Sequence, residues 1–208
     1  MAAPGSPEPV VHIVDDDEDL RRSLVFLLDS VGVQALTYPD AASFLAEFDP
    51  DEPAVVIVDV RMPGISGFGL QERLRQLGHP APVIFCSAHG DIPMSVRAMA
   101  GGAADFLEKP YQPQRMLEVV QQQLIEARER FAEHARRQDV QRRIGTLTPR
   151  EREVLRLVVE GLPSQHIARR LSASVKTIDV HRARIKAKTG ADSLGALVRD
   201  VLVHQVTV

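Results

Sequence analysis

Val55-Val56-Ile57-Val58-Asp59 is an unbroken β-branched apolar run ending in a carboxylate, and Val60-Arg61-Met62-Pro63-Gly64 follows at once. Its length and branching predict a strand buried on both faces, the kind a parallel sheet contains. A lone buried carboxylate is expensive, so Asp59 is expected where the strand emerges at the carboxyl edge of the sheet. Taken alone, the better reading of Asp59 is a strand-end residue opening a turn before Pro63-Gly64. A second acidic strand end alters that balance.

Val10-Val11-His12-Ile13-Val14 runs straight into Asp15-Asp16-Asp17-Glu18-Asp19. Asp17 to Asp19 suit a helix N-terminus, where the macrodipole favours negative charge, because an amphipathic stretch with Leu20, Leu24, Phe26, Leu27 and Leu28 follows. Asp15 and Asp16 fall instead at the strand tip. If this strand lies beside Val55–Val58, the carboxylates of Asp15, Asp16 and Asp59 converge on one edge. Such a cluster requires a cation, and an all-oxygen set with few protein ligands suits Mg²⁺. Val83-Ile84-Phe85-Cys86 then leads to Ser87, and Asp105-Phe106-Leu107-Glu108 leads to Lys109-Pro110. Singly, Ser87 is a turn former and Lys109 a surface charge. As a set, Asp15, Asp16, Asp59, Ser87 and Lys109 each follow a hydrophobic run and would line one crevice.

On these residues, positions 9 to 125 resemble the receiver domain of two-component response regulators. The strings Val11-His12-Ile13-Val14-Asp15-Asp16-Asp17-Glu18, Asp59-Val60-Arg61-Met62-Pro63-Gly64-Ile65-Ser66-Gly67, His89-Gly90-Asp91-Ile92-Pro93-Met94 and Glu108-Lys109-Pro110 resemble the FixJ branch in particular. The resemblance implies an α/β fold, a doubly wound five-stranded parallel sheet of the flavodoxin and CheY-like kind. It implies that Asp59 is the phosphoryl acceptor and that Asp15, Asp16, Asp59 and the Arg61 carbonyl hold Mg²⁺. Ser87 would bond one phosphoryl oxygen and Lys109 would pair with another. Phosphoryl transfer is mainly positioning and charge neutralisation, which matches these residue types. Phe106 reads either as a switch aromatic that fills the space behind an inward-moving Ser87 or as an ordinary core ring. Many relatives carry Tyr there, so this chain has no switch hydroxyl. The resemblance also implies a cis Lys109-Pro110 bond.

Charge divides the 208 residues. Residues 1–112 hold 7 Lys+Arg against 17 Asp+Glu, a net of −10, whereas residues 148–208 hold 11 against 6, a net of +5. A whole-chain charge of −3 therefore conceals an acidic part and a basic part. Cys86 is the single cysteine, so no disulfide forms within the chain, and a reducing cytoplasm fits. No apolar run approaches membrane-spanning length, and residues 1–9 lack a signal-peptide core and read as a disordered tail. Pro113 suits the first turn of a helix, and neither Gly nor Pro recurs until Gly145. Leu117, Val120, Leu124, Ala127 and Phe131 repeat at helical spacing, the first three expected to pack on the receiver sheet. Residues 126–145 are a linker helix, either a coiled-coil dimer seam or a solvated spacer, with some dimer contact favoured.

From Thr146 the pattern becomes short helices. Thr148-Pro149-Arg150-Glu151 is a capping box, and Val154, Leu155, Leu157 and Val158 give its helix an apolar face. Ser164 is expected to cap a second helix, Gln165 to Leu171. After Ser172-Ala173-Ser174 a third runs from Val175 to Lys188, with Val175, Ile178, Ile185 and Val180 as its apolar positions. A fourth carries Leu194, Leu197, Val198 and Val201. Two short helices, a tight turn and a basic third helix describe a helix-turn-helix. Lys176, Arg182, Arg184, Lys186 and Lys188 lie along that third helix, which without the turn would read as a solvated face.

Residues 146 to 205 resemble the LuxR-type DNA-binding domain of NarL/FixJ regulators, through Leu147-Thr148-Pro149-Arg150-Glu151-Arg152-Glu153-Val154-Leu155, Ile167-Ala168 and Val175-Lys176-Thr177-Ile178-Asp179-Val180-His181-Arg182. By that likeness Lys176, Thr177, His181, Arg182 and Lys188 would meet double-stranded promoter DNA. Thr189 stands where the family usually has Leu or Met, which weakens a helix contact. Asp179 should face away from phosphate or accept from a cytosine amino group. The domain expectation is a tail at 1–9, a receiver at 10–125, a linker helix at 126–145 and a four-helix DNA-binding domain at 146–208. The function expected is a cytoplasmic regulator, not an enzyme, which a sensor histidine kinase phosphorylates on Asp59. Phosphorylation would promote homodimerisation and promoter binding, with RNA polymerase a further partner and no membrane contact. Two rivals are a phosphohydrolase, which needs an acid where Arg61 stands, and a regulator that works unphosphorylated.

Overall fold

The computed structural model describes residues 8–88 and 92–208. Of the expected tail, residues 1–7 lie outside the described residues, as does the His89-Gly90-Asp91 part of the third receiver-like string. Five strands form one sheet: β1 (Val10–Val14), β2 (Ala35–Tyr38), β3 (Ala54–Asp59), β4 (Val83–Ser87) and β5 (Asp105–Glu108). Their order is β2-β1-β3-β4-β5, and every neighbouring pair is parallel. The helices that alternate with them are α1 (Glu18–Asp29), α2 (Ala41–Glu47), α3 (Gly67–Gln76), α4 (Ile92–Ala100) and α5 (Pro113–Gly145).

The apolar run that opens the sequence reading is the centre of this sheet. Alternate side chains of a strand point to opposite faces. Val56 and Val58 accordingly join a core with Phe44 of α2, Leu70 and Leu74 of α3 and Ala98 of α4. Val55 and Ile57 join the opposite core with Leu24 and Leu28 of α1 and Met116 and Val120 of α5. With helices on both faces, the sheet is doubly wound as expected. The acids after β1 divide as expected too: Asp17 caps α1 by accepting from the backbone N–H of Asp19 and Leu20, and Glu18 and Asp19 fill its first turn.

Two apolar assignments need correction. Phe26 is 81% exposed, because the inward stripe of α1 is set by Leu24 and Leu28 and position 26 falls on its outer side. On α5 the inward row is Met116, Val119, Val120 and Ala127, while Leu117 and Leu124 are only partly buried. The packed face is therefore rotated about one residue from the predicted row.

The chain divides into two compact units, one running through Ala132 and the other Glu133–Val208. Helix α5 contributes to both. Its Ala127 is buried in a receiver core, and its Val140 and Ile144 are buried in the core of the second unit. Ile125 is the exposed large apolar residue of α5 among the described residues, so no apolar stripe supports the favoured coiled-coil contact. The second unit continues with α6 (Pro149–Val159), α7 (Ser164–Arg170), α8 (Val175–Thr189) and α9 (Leu194–Val203). Thr148 and Glu151 form the expected capping box. Ser164 does not cap α7: Pro163 occupies that position, and the Ser164 hydroxyl donates to Asp179 of α8 at 2.9 Å. Ile178 and Ile185 are buried on α8, but Val175 and Val180 are exposed at 42% and 43%. No helix of the described residues is long and apolar enough to cross a membrane.

One receiver core holds a ring cluster. His12 of β1 pairs through Nδ1 with the Tyr38 hydroxyl at 3.2 Å and lies edge-on to Phe44 and Phe48. Burial, assisted by the neighbouring His79, lowers His12 to a pKa of about 4. A histidine depressed in the fold stabilises above its ordinary value of 6.5 and loses that contribution as pH falls toward 4. The receiver unit is thus expected to lose about 3 kcal/mol through His12 between these pH values. Denaturant midpoints of the full chain at pH 7 and pH 4.5 check this. His12→Phe should narrow the gap between the two midpoints, while the lost Tyr38 partner lowers both alike.

Candidate functional site

The strand order reverses between β1 and β3, and open α/β sheets place their ligand crevice at such a point, beyond the carboxyl ends of the strands. Val14 and Val58 are in register, so Asp15 and Asp59 leave adjacent strands at the same level. Ser87 ends β4 and is in register with Glu108, which places Lys109 one residue beyond the end of β5. The Lys109 backbone N–H donates to the Ser87 carbonyl at 2.8 Å. The Lys109-Pro110 bond is cis, as the resemblance implied.

The Lys109 ammonium joins the carboxylates. It donates to Asp15 Oδ2 at 2.7 Å and to Asp59 Oδ1 at 2.8 Å, with all three side chains largely shielded from solvent. The remaining oxygens are also engaged: Asp15 Oδ1 accepts from the Asp17 N–H at 3.0 Å and Asp59 Oδ2 from the Arg61 N–H at 2.5 Å. Burial raises the Asp15 carboxyl above its usual range despite the Lys109 hydrogen bond. Burial alone would lower Lys109, but its bonds to both carboxylates outweigh that and leave its pKa raised.

The three-carboxylate convergence is not present in this form. Asp15 and Asp59 meet on the ammonium, whereas Asp16 is exposed, and no group of three His, Cys, Asp or Glu side chains among the described residues is gathered to hold a metal. The ammonium already supplies the positive charge that the buried pair demands. The donor set is nevertheless all oxygen, with Asp16 and the Arg61 carbonyl beside the pair in the chain, and it suits a hard divalent cation.

Two neighbours shape the crevice. Gly67 opens α3 so close to β3 that a Cβ there would meet the Asp59 carbonyl oxygen at 2.3 Å. Its N–H donates to Val60 O at 3.1 Å. Sequence reasoning quoted Gly67 in a string but gave it no role; a glycine directly after a cap-forming Ser66 was the available signal. Phe106 is half-buried with its ring 6.4 Å from that of Phe85. Cys86, in register with Asp59 on the neighbouring strand, is buried and its thiol is pushed up to about 12 by that burial.

In the second unit, α7, a turn at 171–174 and α8 form the helix-turn-helix. Ser174 caps α8 by accepting from the Thr177 N–H, and its hydroxyl pairs with that of Thr177 at 2.8 Å. Lys176, Val180, Ala183, Arg184 and Ala187 are exposed and fall on one side of the helix, opposite Ile178 and Ile185. His181 and Arg182 are half-buried at its flanks, and His181 Nδ1 is buried with no hydrogen-bond partner among the described residues. Asp179 is engaged with Ser164, so it is turned to the domain's own framework. Lys188 is likewise engaged, its ammonium 2.7 Å from the buried Glu151. That bond, with those from Thr148, holds the Glu151 carboxyl down at about 2.

Family models match in two places. The response regulator receiver domain covers residues 11–121, and the bacterial regulatory proteins of the luxR family cover residues 145–201. The chain is 43% identical over 195 residues to the transcriptional regulatory protein FixJ of Rhizobium meliloti, covering 92% of this chain and 94% of that one. It is 39% identical over 189 residues to FixJ of Bradyrhizobium diazoefficiens, covering 91% and 92%. Among solved structures, the response regulator StyR aligns over 95% of this chain and all of its own, with TM-score 0.72 and 38% identity.

The shared ammonium has a measurable consequence. Lys109→Met leaves two buried carboxylates without their cation, a change that typically costs about 3–5 kcal/mol. Unfolding of the full chain at pH 7 should show a loss of that order in the receiver transition. As pH falls and the Asp15 carboxyl, raised by burial, takes up a proton, the gap to wild type should shrink.

Proposed function

From a chain that belongs to the two-component response regulators, with a receiver joined to a LuxR-type DNA-binding domain, we propose a switch that is set when Asp59 takes a phosphoryl group from a sensor histidine kinase. The observation that carries this reading is the Lys109 ammonium bonded to both Asp15 and Asp59 at adjacent strand ends. In the transfer, a carboxylate oxygen of Asp59 attacks phosphorus, the bond from phosphorus to the donor imidazole nitrogen breaks, and an acyl phosphate forms. A Mg²⁺ ion held by Asp15, Asp16, Asp59 and the Arg61 carbonyl would neutralise charge on the transferring group. Lys109 is already within bonding distance of Asp59 and would pair with a phosphoryl oxygen, while the Ser87 hydroxyl donates to another. Phe106, half-buried beside Phe85, would follow Ser87 inward.

The output is DNA binding. Exposure on α8 supports a reading face centred on Lys176, Val180 and Arg184, with His181 and Arg182 at its flanks. Thr177 contributes its place at the capped start of the helix. Dimerisation on phosphorylation is supported by Ile92, Val96 and Met99, exposed at 79%, 61% and 51% and spaced to share one side of α4. A bacterial DNA target puts the chain in the cytoplasm, and RNA polymerase is the natural further partner of a promoter-bound regulator. Turnover as a phosphohydrolase is disfavoured, because Arg61 stands where a general acid would be needed.

Incubation with a small phosphodonor and Mg²⁺ should add one phosphoryl group by intact mass and shift sedimentation toward a dimer. Asp59→Asn should show neither change. Unaltered promoter affinity in phosphodonor-treated wild type relative to Asp59→Asn would defeat the switch. Lys176→Ala should weaken binding across sequences and reduce the slope of log affinity against log salt by about 0.9, the value for one lost phosphate contact.

A further inference from the structure

The last turn of α8 is bonded to two other elements of its unit by charged groups. From α6, Glu151 is only 3% exposed, and its Oε2 accepts from the Thr148 N–H at 2.8 Å, the Thr148 hydroxyl at 2.9 Å and the Lys188 ammonium at 2.7 Å. From α5, Arg143 Nε donates to the Thr189 carbonyl at 2.8 Å, and its Nη1 lies 3.6 Å from Asp139 and 3.7 Å from Asp200 of α9. Thr189 itself is buried, its hydroxyl donating back to the Ile185 carbonyl at 2.8 Å, and Gly190 ends the helix at φ 62. Carbonyls in a final turn lack helical partners and form the negative end of the dipole, so a guanidinium there is favourable on both counts.

Hydrophobic burial is non-directional, and the buried apolar residues of α8 are Ile178 and Ile185. Such a contact resists separation of the helix from its neighbours far better than it resists roll or slide. Reading base edges requires placement within about 0.5 Å and 10–20°. The Ser164–Asp179 bond restrains the helix near its start, and the directional bonds of the distal turn add the restraint at its other end. We propose that Lys188 and Arg143 are positioning residues for DNA reading, which fix the roll and axial setting of α8 through Glu151 and the Thr189 carbonyl. Lys188 is therefore not one of the phosphate contacts.

This rests on α8 being the DNA-reading helix, and a phosphate contact and a positioning group leave different signatures. The probes are a duplex enriched by phosphodonor-treated wild-type chain from a random-sequence pool, and a scrambled duplex of equal length. Lys188→Gln and Arg143→Gln should each lower affinity for the enriched duplex about tenfold, with the scrambled duplex changed less than about twofold and the salt slope unaltered. Lys188→Arg, which keeps a cation on Glu151, should restore discrimination. Equal losses on both duplexes with a slope reduced by about 0.9 would make Lys188 a phosphate contact and overturn the proposal, as would no loss at all. Lysine acetylation footprinting of the wild-type chain tests the same point without a variant. Lys188, held on Glu151, should react at the same reduced rate with and without duplex, whereas Lys176 should gain protection only when duplex is added. Shielding of Lys188 that depends on DNA refutes the assignment. Failure of wild type to enrich any duplex would instead remove the DNA-reading role of α8.

Discussion

Two carboxylates buried at neighbouring strand ends cannot both stay ionised without a positive charge between them, and Lys109 is that charge. Everything at the carboxyl edge follows from this constraint. The parallel register of β1 and β3 brings Asp15 and Asp59 to the same level, and the crossover to β5 returns an ammonium to both. The missing Cβ of Gly67 lets α3 start against the Asp59 carbonyl. The same arrangement gives the site its chemistry. Under the proposed phosphoryl transfer, this group of oxygens and one ammonium, held by strand ends, would meet the incoming phosphoryl group, and the cation would take up its added negative charge.

The sheet and the site were legible because their signals are local and chemically stark. β3 is apolar at every position before its acid, and an interior strand covered on both faces permits no other pattern. Asp15 and Ser87 follow largely apolar strands and Lys109 follows the short β5, so strand pairing sets all three at the carboxyl edge and joins Lys109 to Asp15 and Asp59. Less legible were features that depend on the third dimension. Phe26 and Leu24 are both apolar on one short helix, and only packing decides which faces the sheet. On α5 the inward row begins at Met116, and a helix with apolar residues at 116, 117, 119 and 120 offers two adjacent faces of similar character. Val175 and Val180 count among the apolar positions of α8, but the helix uses Ile178 and Ile185 for its core and leaves the valines at the surface.

Lys188 marks a different limit. A basic residue on a basic helix reads as a phosphate ligand, and nothing nearby in the chain shows that a buried glutamate 37 residues earlier has claimed it. Glu151 was visible as part of a capping box, which accounts for its bonds to Thr148. Its bond to Lys188 requires knowing that α6 and α8 pack together. Charge in this unit thus serves two ends: exposed cations such as Lys176 and Arg184 on the outer side of α8 remain open to solvent, and Lys188 in the last turn is bonded to the buried Glu151.

Helix α5 has a bearing on how such proteins can be recombined. Ala127 belongs to one core and Val140 and Ile144 to the other, with a polar stretch between them at Glu133–Asp139. A chimaera joined at Gly145, where the luxR-family match begins, would strip two buried side chains from the transplanted unit and leave them unsheltered on the recipient. A junction within the polar stretch keeps both interiors whole. The natural seam for exchanging outputs is therefore inside a helix, where no loop or proline would advertise it.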